Sequence, residues 1–131
     1  MAAQCKLGAK ALYSELSVAD LLNPERQSTR KDLEIHHLFP KAWLKSNGLT
    51  DRRDYNQIAN QTLVEWSINS EISDKNPAEY APSYEENTSD ETRMLHAMPK
   101  DWWKMDYSEF LTERRKLMAL VIRKAFEKDV L

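Results

Sequence analysis

At 131 residues, 41% apolar and 31% charged, the chain has the make-up of one globular domain with its own core and is too short for two. A single cysteine, Cys5, excludes an internal disulfide and a paired-cysteine zinc knuckle; no apolar run reaches membrane-spanning length and no charged-then-apolar leader is read, so a cytoplasmic location is expected. A net charge of -2 excludes strong DNA binding by the chain alone, because such affinity is mostly phosphate neutralisation by lysine and arginine.

In chain order, Leu7, Ala11, Leu12 and Leu16 recur at roughly helical spacing and predict a first helix over about 4–16, with Val18, Leu21 and Leu22 continuing its face to about residue 22. Asn23-Pro24 predicts a boundary, since the residue before proline avoids helical backbone. Glu25 to Asp32 reads as a polar loop that delivers the chain to a strand. That strand, Glu34-Ile35-His36-His37-Leu38-Phe39, ends at Pro40, which cannot donate the next ladder hydrogen bond. Two of the chain's three histidines stand side by side on it.

A helical turn over Lys41–Ser46 closes at Asn47-Gly48, and a polar loop is expected from Thr50 to Asp54. Thr62-Leu63-Val64-Glu65-Trp66, β-branched and aromatic, reads as a second strand with Asn60 just before it. Ser67 opens a short helix that carries Asn69. Asn76-Pro77-Ala78-Glu79 is a helix start with an amide cap and proline at the first position; Pro82 is expected to end that helix. Glu85 to Glu91, rich in acid, reads as a solvated loop. Asp90 to His96 predicts a short helix with Met94 and Leu95 inward.

The clearest helix is the last, over about 106–128. Phe110, Leu111, Arg114, Leu117, Met118, Val121, Ile122, Ala125 and Phe126 follow the three-and-four spacing of a buried face, after a capping box at Asp106 and Glu109 and a staple of Met105 on Phe110. Arg114 sits on the inward stripe, so it either pairs with a buried carboxylate or reaches toward a site. The four tryptophans read as core or interface, and His96 as structural.

Strand, strand, helix, with histidines on the first strand and amides at either end of the second, resembles the HNH nuclease motif, the ββα-metal finger. The resemblance is strongest to the HNH domain at the C-terminal end of GmrSD-type modification-dependent restriction endonucleases. It is carried within 34–77 by His36, His37, Phe39, Pro40, Asn60, Thr62, Leu63, Asn69, Lys75 and Pro77. The tail from Trp102-Trp103 through Arg114-Arg115 resembles the family's closing helix. A histidine pair alone carries little; the ordered set carries the match.

The resemblance implies a single α+β domain over 1–131, mostly helical, with a small two-stranded hairpin bearing the site among flanking helices at 4–22 and 106–128, as the C-terminal part of a larger protein. It implies a metal-dependent DNA endonuclease of bacterial restriction or phage defence. His37 would be the general base, and His36 and Asn69 the ligands of one divalent ion. Asn60 would belong to the catalytic set in a positional role, and Lys75, with Lys41 and Lys45 behind it, would contact phosphate. Magnesium or manganese is the expected ion, and a histidine rather than an aspartate at His36 admits nickel or zinc. Implied partners are DNA and an N-terminal, nucleotide-hydrolysing, modification-sensing part of the same protein. The alternative is a catalytically silent DNA-binding or partner-docking module on the same scaffold. Successive strand side chains point to opposite faces, so His36 and His37 share a site only if the strand is ending there, as Pro40 suggests.

Overall fold

The computed structural model describes residues 2–22 and 33–130; the Asn23-Pro24 boundary and the 25–32 loop lie outside the described residues. Its element order is α1 (Ala2–Lys6), α2 (Val18–Leu21), β1 (Leu33–His37), α3 (Lys41–Ser46), α4 (Arg52–Tyr55), β2 (Gln61–Glu65), α5 (Trp66–Ile72), α6 (Pro77–Glu86), α7 (Asp90–Leu95) and α8 (Tyr107–Val130). This is the mostly helical α+β fold expected. The strands pair antiparallel in one register, Leu33 opposite Glu65 through His37 opposite Gln61. One face of the hairpin, with His36, Thr62 and Val64, is buried.

The core lies directly beyond the histidines. Leu38 and Phe39 are buried, and the Phe39 ring stands 4.9–5.5 Å from the rings of Trp43, Trp102, Tyr107 and Phe110. Each such side chain contributes about 1.5–3 kcal/mol on burial. The end of β1 is therefore anchored from its C-terminal side.

Several local expectations are corrected by the tertiary structure. The predicted helix over 4–16, and with it the flanking helix 4–22, is instead α1, a turn and α2. Gly8 takes φ +70 after α1, as a glycine at a helix end readily does, and the chain then runs beside the hairpin. There Leu12 N donates to Leu63 O at 3.2 Å, and Ala9, Ala11 and Leu12 become buried. Burial against β2 outweighs the helical spacing of the leucines. The 50–54 loop contains the start of α4, capped by Asp51, whose side chain accepts from Arg53 N at 2.8 Å.

Pro82 lies inside α6 and does not end it. Ala78 and Pro82 are both exposed, so the carbonyl that loses its donor is on the solvent side, while Tyr80, Ala81 and Glu85 hold the opposite side in the protein. Glu85 is no part of a solvated loop. Its Oε1 accepts from Tyr13 Oη at 2.8 Å and Trp102 Nε1 at 2.9 Å, and Arg93 Nε lies 3.4 Å from its Oε2. Within α7, Leu95 packs inward as predicted but Met94 is 45% exposed. On α8, Phe110, Leu111, Arg114, Val121 and Ala125 are buried, whereas Ile122 and Phe126 face outward.

Candidate functional site

Strand alternation places Glu34 and His36 on one side of β1. The strand stops at His37, and the chain bends through Leu38 and Phe39 into Pro40, the N-cap of α3. That ending lets both neighbouring rings meet one space. His36, His37, Pro40, Lys41, Asn69 and Asp74 all contribute to the lining of a cleft of about 390 Å³ between the end of β1 and helix α5.

His36 is 3% exposed and held on both nitrogens. Nδ1 lies 3.1 Å from Asn69 Oδ1, 33 residues further on, and Nε2 lies 3.2 Å from Tyr80 Oη. Asn69 Nδ2 donates to Glu34 Oε2 at 2.6 Å, so the amide oxygen is the atom turned to the ring. Burial pushes the imidazole down to about 4, against a smaller raising effect of the Asn69 contact, so the ring is neutral near pH 7.

His37 is half-buried. Its Nε2 lies 3.4 Å from Asn56 Oδ1; an acceptor there keeps hydrogen on Nε2 and leaves Nδ1 basic. Burial lowers its pKa; Asn56 opposes that and the nearby Lys41 adds to it. Asn60 is fully buried outside the cleft lining. Its Oδ1 accepts from Phe39 N at 2.8 Å, and its Nδ2 donates to Phe39 O at 3.0 Å and Tyr55 O at 3.3 Å. With Leu38 N donating to Asn60 O at 2.9 Å, this residue ties the bend after His37 to the start of β2.

Of the three lysines singled out, only Lys41 lines the cleft. Lys41 and Lys45 both hold their ammonium groups over the Tyr55 ring, 5.2 and 5.6 Å from its centroid. Lys75 is exposed beyond Asp74, outside the lining. Glu34, Asn56, Asp74 and Tyr80 are the site residues that sequence reasoning missed. Strand alternation with His36 could have found Glu34; nothing local points to Tyr80.

Arg114 follows neither alternative predicted for it. Its guanidinium donates to Ala59 O at 2.8 Å, Gln61 O at 2.6 Å and His96 O at 3.2 Å, with no carboxylate in its hydrogen bonds among the described residues and no place in the cleft lining. It clamps the two peptides that flank Asn60. His96 is structural as expected: Nε2 lies 2.6 Å from Lys10 O and Nδ1 3.3 Å from Thr62 Oγ1.

Burial also pushes His96 down to about 4. The unfolded chain takes up protons near pH 6.5, while the folded rings of His36 and His96 resist them down to about pH 4. Stability is therefore full above pH 6.5 and falls as pH drops from there toward 4, by up to about 3 kcal/mol for each ring. Urea unfolding of the metal-free chain at pH 7.5 and pH 5 checks this; equal midpoints would show that the rings are not buried neutral.

A family model described as GmrSD restriction endonucleases, C-terminal domain, matches residues 5–121. The chain belongs to this family. No curated protein and no solved structure gave a significant match. The match takes in the whole cleft and runs into α8, so the hairpin, α5 and the part of α8 that carries Arg114 lie within the GmrSD domain. A GmrSD C-terminal domain is a nuclease-type domain of a restriction endonuclease, whose substrate is DNA. Among the described residues of this GmrSD domain, no helix is long and apolar enough to cross a membrane.

Proposed function

We propose that this GmrSD domain is a divalent-metal-dependent endonuclease of the HNH kind that hydrolyses DNA phosphodiester bonds in restriction or phage defence. The observation that carries the reading is the approach of His36 Nδ1 and Asn69 Oδ1 to 3.1 Å in a cleft that His37 also lines. Two ligands at right angles, each about 2.1 Å from a small divalent ion, stand about 3.0 Å apart, so the donor pair fits such an ion. Among the described residues no three of His, Cys, Asp and Glu gather as a metal group. An imidazole and an amide would therefore hold the ion, with water and phosphate oxygens completing the shell. This neutral, partly nitrogen donor set suits manganese, nickel or zinc as well as magnesium.

When bound, the ion would offset charge building on the phosphoryl oxygens and on the leaving 3′ oxygen. His37, neutral at cellular pH, takes the proton from the attacking water on its Nδ1. In-line attack inverts the phosphorus and leaves 5′-phosphate and 3′-hydroxyl ends. Lys41 contacts the phosphate from the cleft wall, with Lys45 and Lys75 further along the DNA path. Asn60 is a positioning residue that holds the bend on which His37 rides. Nucleotide hydrolysis and modification sensing belong to another, N-terminal part of the same cytoplasmic protein. In support, the only two glycines here, Gly8 and Gly48, form no phosphate-cradling loop.

Supercoiled plasmid incubated with the chain in magnesium or manganese should be nicked, and a chelator should stop the reaction. Calorimetry with manganese should show one site that His36→Ala abolishes. Absence of both nicking and a His36-dependent site would leave the silent DNA-binding or docking module as the better account.

A further inference from the structure

We infer that Tyr80, on α6 and 44 residues beyond His36, is the positioning residue that keeps a bare Nδ1 lone pair on the His36 ring turned toward Asn69. Its consequence for cation binding rests on the metal-site reading above, whereas the placement of the hydrogens does not.

A phenol carries one hydrogen. Tyr80 Oη lies 2.5 Å from the Leu38 carbonyl oxygen, which can only accept, so the phenolic hydrogen points there. The same Oη lies 3.2 Å from His36 Nε2 and has only lone pairs left for it. His36 is 3% exposed and meets neutral groups, Asn69 and Tyr80, at its two nitrogens, so the uncharged ring is the form that fits there, and a neutral imidazole has a hydrogen on one nitrogen only. With that hydrogen on Nε2, a relay runs from His36 Nε2–H to Tyr80 Oη and from Tyr80 O–H to Leu38 O, and both buried bonds are made. With it on Nδ1, the Asn69 contact gains its donor but two lone pairs oppose each other at Nε2 and Oη in the interior; the pair opposed in the first arrangement, Nδ1 and Oδ1, is only part-buried on the cleft wall, so the interior opposition costs more.

The far side of the ring completes the case. Glu34 Oε2 accepts from Asn69 Nδ2 at 2.6 Å, which directs Oδ1 at His36. Once Nε2 bears the hydrogen, His36 Nδ1 and Asn69 Oδ1 are two acceptors 3.1 Å apart on the cleft wall. A cation shared by both relieves that opposition; the two neutral groups alone do not. Leu38 is two residues along the chain from His36, so the relay also pins the ring to the end of its own strand. Tyr80 thus acts through His36, as an outer partner that sets tautomer and direction.

The test reads the tautomer directly. Nitrogen-15 NMR of the metal-free chain, with His36 identified by its loss in His36→Gln, is expected to show the hydrogen on Nε2 and a bare Nδ1. Tyr80→Phe keeps the ring and removes the hydroxyl; it is expected to melt cooperatively, to move hydrogen to Nδ1, and to weaken manganese binding by about 10–100-fold in calorimetry. Hydrogen on Nδ1 in the parent, or parent-like affinity in a folded Tyr80→Phe, overturns the inference. If Tyr80→Phe does not fold, the tautomer of the parent decides. A parent that binds no manganese defeats the metal reading instead, and the tautomer then still decides the part played by Tyr80.

Discussion

His37→Ala is expected to slow plasmid nicking by about a hundred- to ten-thousand-fold, the usual contribution of a positioned general base. The side chain is half-buried and its hydrogen-bond contact among the described residues, Nε2 to Asn56 Oδ1, is long at 3.4 Å, so its removal should leave the fold in place. Manganese binding should also persist, since His36 and Asn69 are untouched. That combination separates loss of the base from loss of the site. Burial and Lys41 hold the His37 imidazole below its ordinary 6.5, so nicking by the parent should keep more than half its plateau rate at pH 6.5, with the midpoint of its acid decline below that pH. A variant that cuts as fast as the parent would remove His37 from the reaction.

Arg114→Ala is expected to cost about 3–5 kcal/mol of stability, read by urea unfolding, out of a total that for such a domain is about 5–15 kcal/mol. Three carbonyl oxygens, of Ala59, Gln61 and His96, lose a charged donor at once in a region where Asn60 and His96 are almost fully buried. Burial lowers the guanidinium to about 10, which leaves it protonated at neutral pH. The opposing cost is that its Nε is buried without a partner among the described residues, which keeps the figure below three full charged bonds. Arg115 is the internal control. It is exposed and donates to Gln57 Oε1 at 2.9 Å, so Arg115→Ala should shift stability by no more than about 0.5 kcal/mol. If Arg114→Ala instead unfolds like the parent while nicking collapses, Arg114 acts on the reaction and not on the scaffold.

Where hydrogen bonds close within a few residues, the chain's own order was enough. A strand lay at the histidines, though it stopped at His37 and not at Pro40, Asn76 capped α6 with its side chain accepting from Ala78 N at 3.0 Å, and the three-and-four spacing of Phe110 to Ala125 marked α8. The same order put His36 and His37 on the first strand, Asn60 just before the second and Asn69 on the helix that follows, because a finger of this kind is compact in sequence. Where the partner lies tens of residues away, the spacing misled or was silent. Leu7, Ala11, Leu12 and Leu16 have a helix's period, yet the strand edge at Leu63 offered Leu12 a partner and burial that a helix there did not. Pro82 reads as a stop only if its helix face is inward, and that face is exposed.

By itself, then, the sequence determined which residues could do chemistry and the short elements that carry them, since side-chain type, caps and strand ends are local properties. Only the tertiary structure decided that Lys41 and not Lys75 borders the cleft, that Glu85 is interior, that Arg114 binds carbonyl oxygens, and that Glu34 and Tyr80 orient Asn69 and His36. Those outcomes depend on which surfaces come together when the apolar core around Phe39 and Trp102 closes, and no single segment contains that information.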